Sequence, residues 1–217
     1  MEITLKNKYF GTDGFRGEAN VNLTSIQAYK VGRFLGWYLG KEHKARVVIG
    51  KDTRRSSYMF EYALVAGLTA SGADVKLLHV TTTPSVAYVV KTEGDDCGIM
   101  ISASHNPIGH NGVKFGKNDG GVIPGSEASV LAKDFLTLCD VENPIEKAEL
   151  LSKCDENQLK EVYAESEIHK MEALKFYEDF STKVICGDAD SELIFGSIKE
   201  TTNATPLSIV CDMNGSA

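Results

Sequence analysis

Apolar positions along the first 140 residues follow two periods in turn. Ala28, Val31, Leu35, Tyr38 and Leu39 recur at helical spacing behind Thr24-Ser25-Ile26-Gln27, which has the form of a capping box. Gly40 marks the expected end of that helix. Short apolar runs at 46–50, 75–80 and 97–101 each read as a buried strand. A second helix is expected between the first two runs, with Phe60, Leu64, Gly67, Leu68 and Ser71 on its core face, Ser56 or Ser57 as its cap and Gly72 as its stop. Thr83 followed by Pro84 reads as the cap of a third helix, continued by Val86, Ala87 and Val90. Strands and helices that alternate with such short connections predict right-handed crossovers. The expected fold class is α/β, a mostly parallel sheet sandwiched by helices.

Beyond Pro107 the pattern changes. Asn111-Gly112 reads as a hairpin turn between Ile108 and Val113-Lys114-Phe115, and Asp119-Gly120-Gly121 as a further turn. A helix is expected through Val130, Leu131, Phe135 and Leu138, and one or two charged helices over 156–180. The run Leu207–Asp212 reads as a new strand, followed by Met213-Asn214-Gly215. These signals divide the chain into 1–155, a first domain, and 156–217, a linker helix with the start of a second similar domain. The chain is accordingly expected to be part of a longer protein.

Charge separates the two parts further. Between residues 140 and 200 there are sixteen acidic and seven basic residues, against fourteen and sixteen elsewhere. A mildly basic half suits a small anion such as phosphate, whereas the overall charge of −7 argues against a nucleic-acid partner. No apolar run approaches the length of a membrane span, and the amino terminus has no signal-peptide pattern. Five widely spaced cysteines with no C-x-x-C argue against a disulfide framework. A cytoplasmic protein without membrane or nucleic-acid partners is expected.

Parallel strands collect the segments that follow them at the carboxyl edge of the sheet, where open α/β sheets bind ligands. Lys51–Arg55, Thr81–Thr83 and Ser102–Asn106 should therefore converge there. Among these, Ser104 is a hydroxyl at a strand end beside His105, with Pro107 fixing the turn. Neighbouring side chains on an extended chain point to opposite sides, so a Ser104–His105 hydrogen bond is not implied. The sequence has no G-x-S-x-G elbow, no P-loop and no G-x-G-x-x-G after a strand. A nucleophile for phosphate remains open, because phosphoryl transfer rests on positioning and charge stabilisation. A plain Ser/Asn/Pro turn ending a strand accounts for the same residues equally well. Other candidates read as ordinary structure: Gly187–Asp190 as a solvated turn rather than a metal loop, His79 as a satisfied core histidine, His43, His110 and His169 as surface residues, and the cysteines as packing.

Five segments together resemble the α-D-phosphohexomutases, the superfamily of phosphoglucomutases, phosphomannomutases and phosphoglucosamine mutases. They are Phe10-Gly-Thr-Asp-Gly-Phe-Arg-Gly17, Gly50-Lys-Asp-Thr-Arg54, Thr82-Thr-Pro84, Ile101-Ser-Ala-Ser-His-Asn-Pro107 and Asn111-Gly-Val-Lys-Phe115, in the family's order and spacing. The first looks most like the phosphoglucosamine mutase branch. The resemblance implies the fold of the family's first domain over about 8–125, and an opening of the second at Asp212 and Asn214-Gly215. It implies that Ser104 is a phosphoserine that passes its phosphoryl group to a hexose 1-phosphate and regains one through a 1,6-bisphosphate. Arg16 would hold phosphoryl oxygens, Lys114 would act as acid/base or charge stabiliser near the reacting hydroxyl, His105 would orient or move a proton, and Asn106 would fix the loop. Ser104 would be the chain's contact with Mg²⁺. The family's Asp-Gly-Asp metal loop and its sugar-reading and phosphate-binding loops have no counterpart here. The chain alone is therefore expected to be inactive, to self-associate through the edge of an unpaired terminal strand, or, as the alternative, to be a non-catalytic sugar-phosphate or anion-binding module.

Overall fold

The computed structural model describes residues 14–123, 125–139 and 155–211. Their strands form one sheet from β1 (Gly14–Glu18), β2 (Arg46–Lys51), β3 (Asp74–Val80), β4 (Cys97–Ile101) and β5 (His110–Lys117). The order across the sheet is β1-β5-β4-β2-β3. As the alternating pattern predicts, β2, β3 and β4 are parallel; β5 runs antiparallel to β4, and β1 antiparallel to β5. The helices are α1 (Ser25–Leu39), α2 (Arg55–Ala70), α3 (Thr83–Glu93), α4 (Gly125–Cys139), α5 (Glu156–Cys186) and α6 (Ser191–Ala204).

The period-two pattern of the strands sorts side chains onto two faces. Val47, Ile49, Leu77, Ile99 and Ile101 pack under α1, α2 and Leu131 of α4, while Val48, Leu78 and Met100 pack under Val86, Val89 and Val90 of α3. Burial on both faces explains why β2 is apolar throughout Val47–Ile49, each residue 0 % exposed. Each such side chain contributes roughly 1.5–3 kcal/mol relative to exposure.

The α1 capping box is present: Gln27 N donates to Thr24 Oγ1 at 3.3 Å, and Thr24 N to Gln27 Oε1 at 2.8 Å. α1 and α2 lie so close that a Cβ at Gly67 would collide with the Tyr29 carbonyl. Two caps fall elsewhere than expected. α2 is preceded by Arg54 without a side-chain cap, because Ser57 Oγ instead donates to the Asp52 carboxylate at 2.8 Å. Thr82, not Thr83, caps α3.

The Asn111-Gly112 pair is not a hairpin turn but lies inside β5; the chain reverses over 102–109, closed by His110 N donating to Pro107 O at 2.9 Å. Gly112 supplies room rather than a turn. A Cβ there would stand 2.8 Å from the Ser102 carbonyl and 3.1 Å from that of Phe15. Asn111 is buried, with Nδ2 donating to the Ser56 and Ser57 hydroxyls at 2.8 and 3.0 Å.

α5 is a single 31-residue helix, longer than the expected 156–180. It lies across the outer edge of β3. Tyr163 stacks on Tyr62 of α2 with ring centroids 4.8 Å apart, and Phe180 meets Tyr88 of α3 at 4.7 Å. Between them His79 Nε2 and Ser166 Oγ are 2.8 Å apart, so His79 is satisfied as expected. α6 buries none of its residues. Gly187–Asp190 is a turn in which Asp190 caps α6 by accepting from Glu192 N at 2.9 Å. The expected strand at the end is not one over its described part: Leu207–Cys211 pairs with no strand, and Leu207, Ile209 and Val210 are exposed. A β-branched run without an adjacent sheet edge has nothing to complete its backbone hydrogen bonds. The rationale for self-association through a strand edge at this end thus falls away, although the apolar side chains there remain exposed. Phe10–Asp13, Asp212, Asn214 and Gly215 lie outside the described residues.

Candidate active site

The parallel strands bring their carboxyl ends into register. Asp52 N donates to Ile101 O and Thr81 N to Lys51 O, both at 3.0 Å. Successive strands lead from β2 outward to β3 and then back across β2 to β4, so the order reverses between β2 and β4, and the loops after these two strands flank the crevice that such a reversal opens. A concavity of about 710 Å³ lies there, lined by Asp52–Ser56 of one loop, Ser104–Asn106, Ile108 and Gly109 of the other, and Glu18 and Ala19 after β1.

Ser104 is exposed in this concavity with φ +54°, a left-handed conformation rare outside glycine, asparagine and aspartate. Its amide donates to Ser102 Oγ at 3.0 Å. The left-handed turn overturns the expectation drawn from an extended chain. Ser104 Oγ and His105 Nδ1 come to 3.5 Å, the outer limit of a hydrogen bond. Asn106 closes the same turn, its amide donating to Ala103 O at 3.0 Å.

Arg54 organises the loop, a role its place in the sequence did not reveal. Nη2 donates to the carbonyls of Ser104 and Asn106 at 3.0 and 2.8 Å, and Nη1 to those of Pro107 and His110 at 2.7 and 3.0 Å. Nε donates to Asp52 Oδ2 at 3.1 Å. The acceptors are backbone carbonyls fifty or more residues away, which no side-chain motif marks. The neighbouring Arg55 is exposed and faces the same concavity.

Arg16 and Lys114 stand together on the α3 face of the sheet. Arg16 pairs with Gly112 and Gly14 with Lys114 across β1 and β5, which puts the two side chains on one face, two positions apart. Ser102 N donates to Gly112 O at 2.9 Å, so Gly112, with no side chain, lies between Arg16 and the root of the Ser104 loop. Lys114 lines a groove of about 210 Å³ against Thr83, Val86 and Met100 rather than the concavity of Ser104. The structure therefore gathers Ser104, His105 and Asn106 in one hollow and Arg16 with Lys114 on the adjoining face.

Donors for a hard cation fall short. Among the described residues no three carboxylate, imidazole or thiol groups are placed to hold a metal ion, and the Asp52 carboxylate in the hollow is occupied by Arg54 and Ser57. Of the two carboxylates that line the hollow, Asp52 is thus taken and Glu18 remains, so with Ser104 the described residues supply too few donors for a complete magnesium site.

The fold and hollow define an α/β/α domain that presents one strained serine at a sheet edge lined with guanidinium groups, a class suited to phosphate chemistry. The chain belongs to the phosphoglucomutase/phosphomannomutase family: the family model described as alpha/beta/alpha domain I matches residues 7–138. Two relatives are the phosphoglucosamine mutases of Lachnoclostridium phytofermentans, 72% identical over 129 residues, and of Lachnospira eligens, 77% identical over 111. These alignments cover 59% and 50% of this chain but 29% and 25% of the relatives, so the chain spans less than a third of their length. A solved phosphoglucomutase/phosphomannomutase family protein from Burkholderia thailandensis is 26% identical with a TM-score of 0.54, over 61% of this chain and 30% of that one.

Proposed function

We propose that this chain carries the phosphoserine of a hexose-phosphate mutase, with Ser104 as the relay. The reading rests on one observation above all: Ser104 is held left-handed and exposed in the hollow where the loops after β2 and β4 meet. In the forward step the bond from phosphorus to Ser104 Oγ breaks as a bond forms from phosphorus to a sugar hydroxyl oxygen. The sugar proton leaves to a base, and Ser104 Oγ ends as a hydroxyl. The return step transfers the other phosphoryl group of the 1,6-bisphosphate back to Ser104. His105, 3.5 Å from Ser104 Oγ, is placed to orient that oxygen or exchange its proton. Arg16 and Lys114 lie on the adjoining face, so a substrate bound across that sheet edge would bring phosphoryl oxygens to Arg16 and its reacting hydroxyl to Lys114 as charge stabiliser or proton carrier, while Asn106 would keep the turn closed. The described residues supply too few donors to hold magnesium by themselves.

The relatives named as phosphoglucosamine mutases support a hexosamine phosphate as the substrate over a glucose or mannose phosphate. We further propose a domain boundary near residue 155, with α5 as a linker that folds back onto the first domain, and a cytoplasmic protein without nucleic-acid or membrane partners. No helix among the described residues is long and apolar enough to cross a membrane.

The test is direct. The chain is joined to the remainder of a full-length phosphoglucosamine mutase, so that the sugar- and phosphate-binding loops without counterpart in it are supplied; the chimera is incubated with glucosamine 1,6-bisphosphate, and phosphate on peptides is located by mass spectrometry. Uptake on Ser104 that is absent in S104A supports the relay. No uptake, or equal uptake in S104A, overturns it.

A further inference from the structure

We infer that Arg54 is the positioning residue that sets the geometry of Ser104, and that it is committed to this task with no N–H left to bind a phosphate. A guanidinium has five N–H donors in a fixed planar fork. All five are used here: one on Asp52 and four on the carbonyls of Ser104, Asn106, Pro107 and His110. The side chain is 13% exposed. It is therefore a plug beneath the loop rather than an arm reaching into the hollow.

The electrostatics explain why the loop needs it. Four carbonyl dipoles from one short turn converge on a single point, an arrangement that repels itself unless a cation sits at the focus. The turn also carries a non-glycine residue at positive φ, which persists only where the surroundings over-determine it. Ser104 is fixed from both sides: its amide by Ser102 Oγ, its carbonyl by Arg54. The fork is itself anchored. Asp52 takes Arg54 N at 3.0 Å and Ser57 Oγ at 2.8 Å in addition to Nε, and Asn111 holds Ser57 from β5. A lysine keeps the charge, but its compact ammonium has three donors and cannot span four carbonyls. Arg55, one residue on, makes none of these contacts and serves as the control.

The consequence for turnover rests on the phosphoserine reading; the geometric claim does not. The experiment uses the isotopically labelled 217-residue chain with R54A, R54K and R55A. A left-handed residue has an unusually short amide-to-Hα distance, so wild-type Ser104 should give a strong intraresidue cross-peak. In R54A and R54K that cross-peak should weaken and the hydrogen-bonded amides of Ser104, Asn106 and His110 should exchange about tenfold faster, with β2 and β4 amides unchanged. R55A should retain the wild-type pattern, and added guanidinium ion should restore protection in R54A but not in wild type. If R54A does not fold, D52N, which frees the fork from its anchor, should give the same local change. An unchanged Ser104 cross-peak in the folded variant, or full restoration by R54K, overturns the inference. Phosphate uptake from glucosamine 1,6-bisphosphate is measured on the same substitutions in the chimera with the remainder of a phosphoglucosamine mutase, and should slow about tenfold in R54A. Loss of the cross-peak without any uptake by wild type would uphold the positioning role and reject the phosphoserine reading, which separates the two.

Discussion

Lys51 and Arg54 are three residues apart on one strand and its loop, yet they use charge in opposite ways. Lys51 is 1% exposed and points into the core, where Nζ meets Glu61 Oε2 at 2.7 Å and lies 3.8 Å from the ring centroid of Tyr58. Arg54, at the rim, has mostly carbonyls for partners. The buried pair is closed on itself and ties β2 to α2, with His79 Nδ1 3.7 Å from the same Glu61 oxygen. The rim cation instead leaves its own strand and ties two loops together. A buried ion pair fixes scaffold, where breaking it is costly; a guanidinium under carbonyls fixes a loop, where losing it changes geometry more than stability.

The largest effect that would break this contrast is at the core pair. E61A leaves the Lys51 ammonium buried without its anion and should cost about 3–5 kcal/mol in urea unfolding, whereas K51M with E61L together should fall within roughly 1–2 kcal/mol of wild type or be more stable. A double variant as unstable as the single one would show that the pair does more than satisfy itself. Next comes the brace between core and rim. N111A removes the donor to Ser56 and Ser57 and the acceptor of Gly112 N, and should cost about 1–3 kcal/mol. Its loss should also speed exchange in the loop held by Asp52, which an effect confined to the core would not do. T24A, far from both cations, should cost about 1 kcal/mol with no change at either.

The smallest effect at neutral pH is at Cys97. Burial, together with the Asp96 carboxylate, pushes its thiol from 9.0 up to about 12. The folded state therefore keeps a proton that the unfolded chain releases, so stability is unaffected below about pH 9 and falls as pH rises toward 12. C97A should flatten that alkaline decline. In labelling at pH 8, exposed Cys211 should react while Cys97 stays inert.

What could be read from the residues alone follows the range of the forces involved. The α1 cap, the strands expected at 46–50, 75–80 and 97–101 and the core faces of α1 and α2 are local patterns, and they stand within a residue of where the sequence places them. So does the position of Ser104 at the carboxyl edge. Asn111-Gly112 misled because the same dipeptide that favours a tight turn here answers a different need, space beside the Ser102 carbonyl. Leu207–Cys211 misled because strand propensity becomes a strand only beside a partner. The conformation of Ser104 and the grip of Arg54 were invisible for a third reason: their determinants are main-chain carbonyls brought together by the reversal in strand order, and every residue has a carbonyl.

The way α5 lies along β3 also limits how the molecule can fail. A sheet margin that is left bare can recruit strands from other molecules and grow, one copy after another. Here that margin is shut by a charged helix whose rings clasp α2 on one side and α3 on the other. Melting α5 away, for instance by A173P, should bare that margin and raise light scattering and thioflavin binding before the serine hollow itself is disturbed.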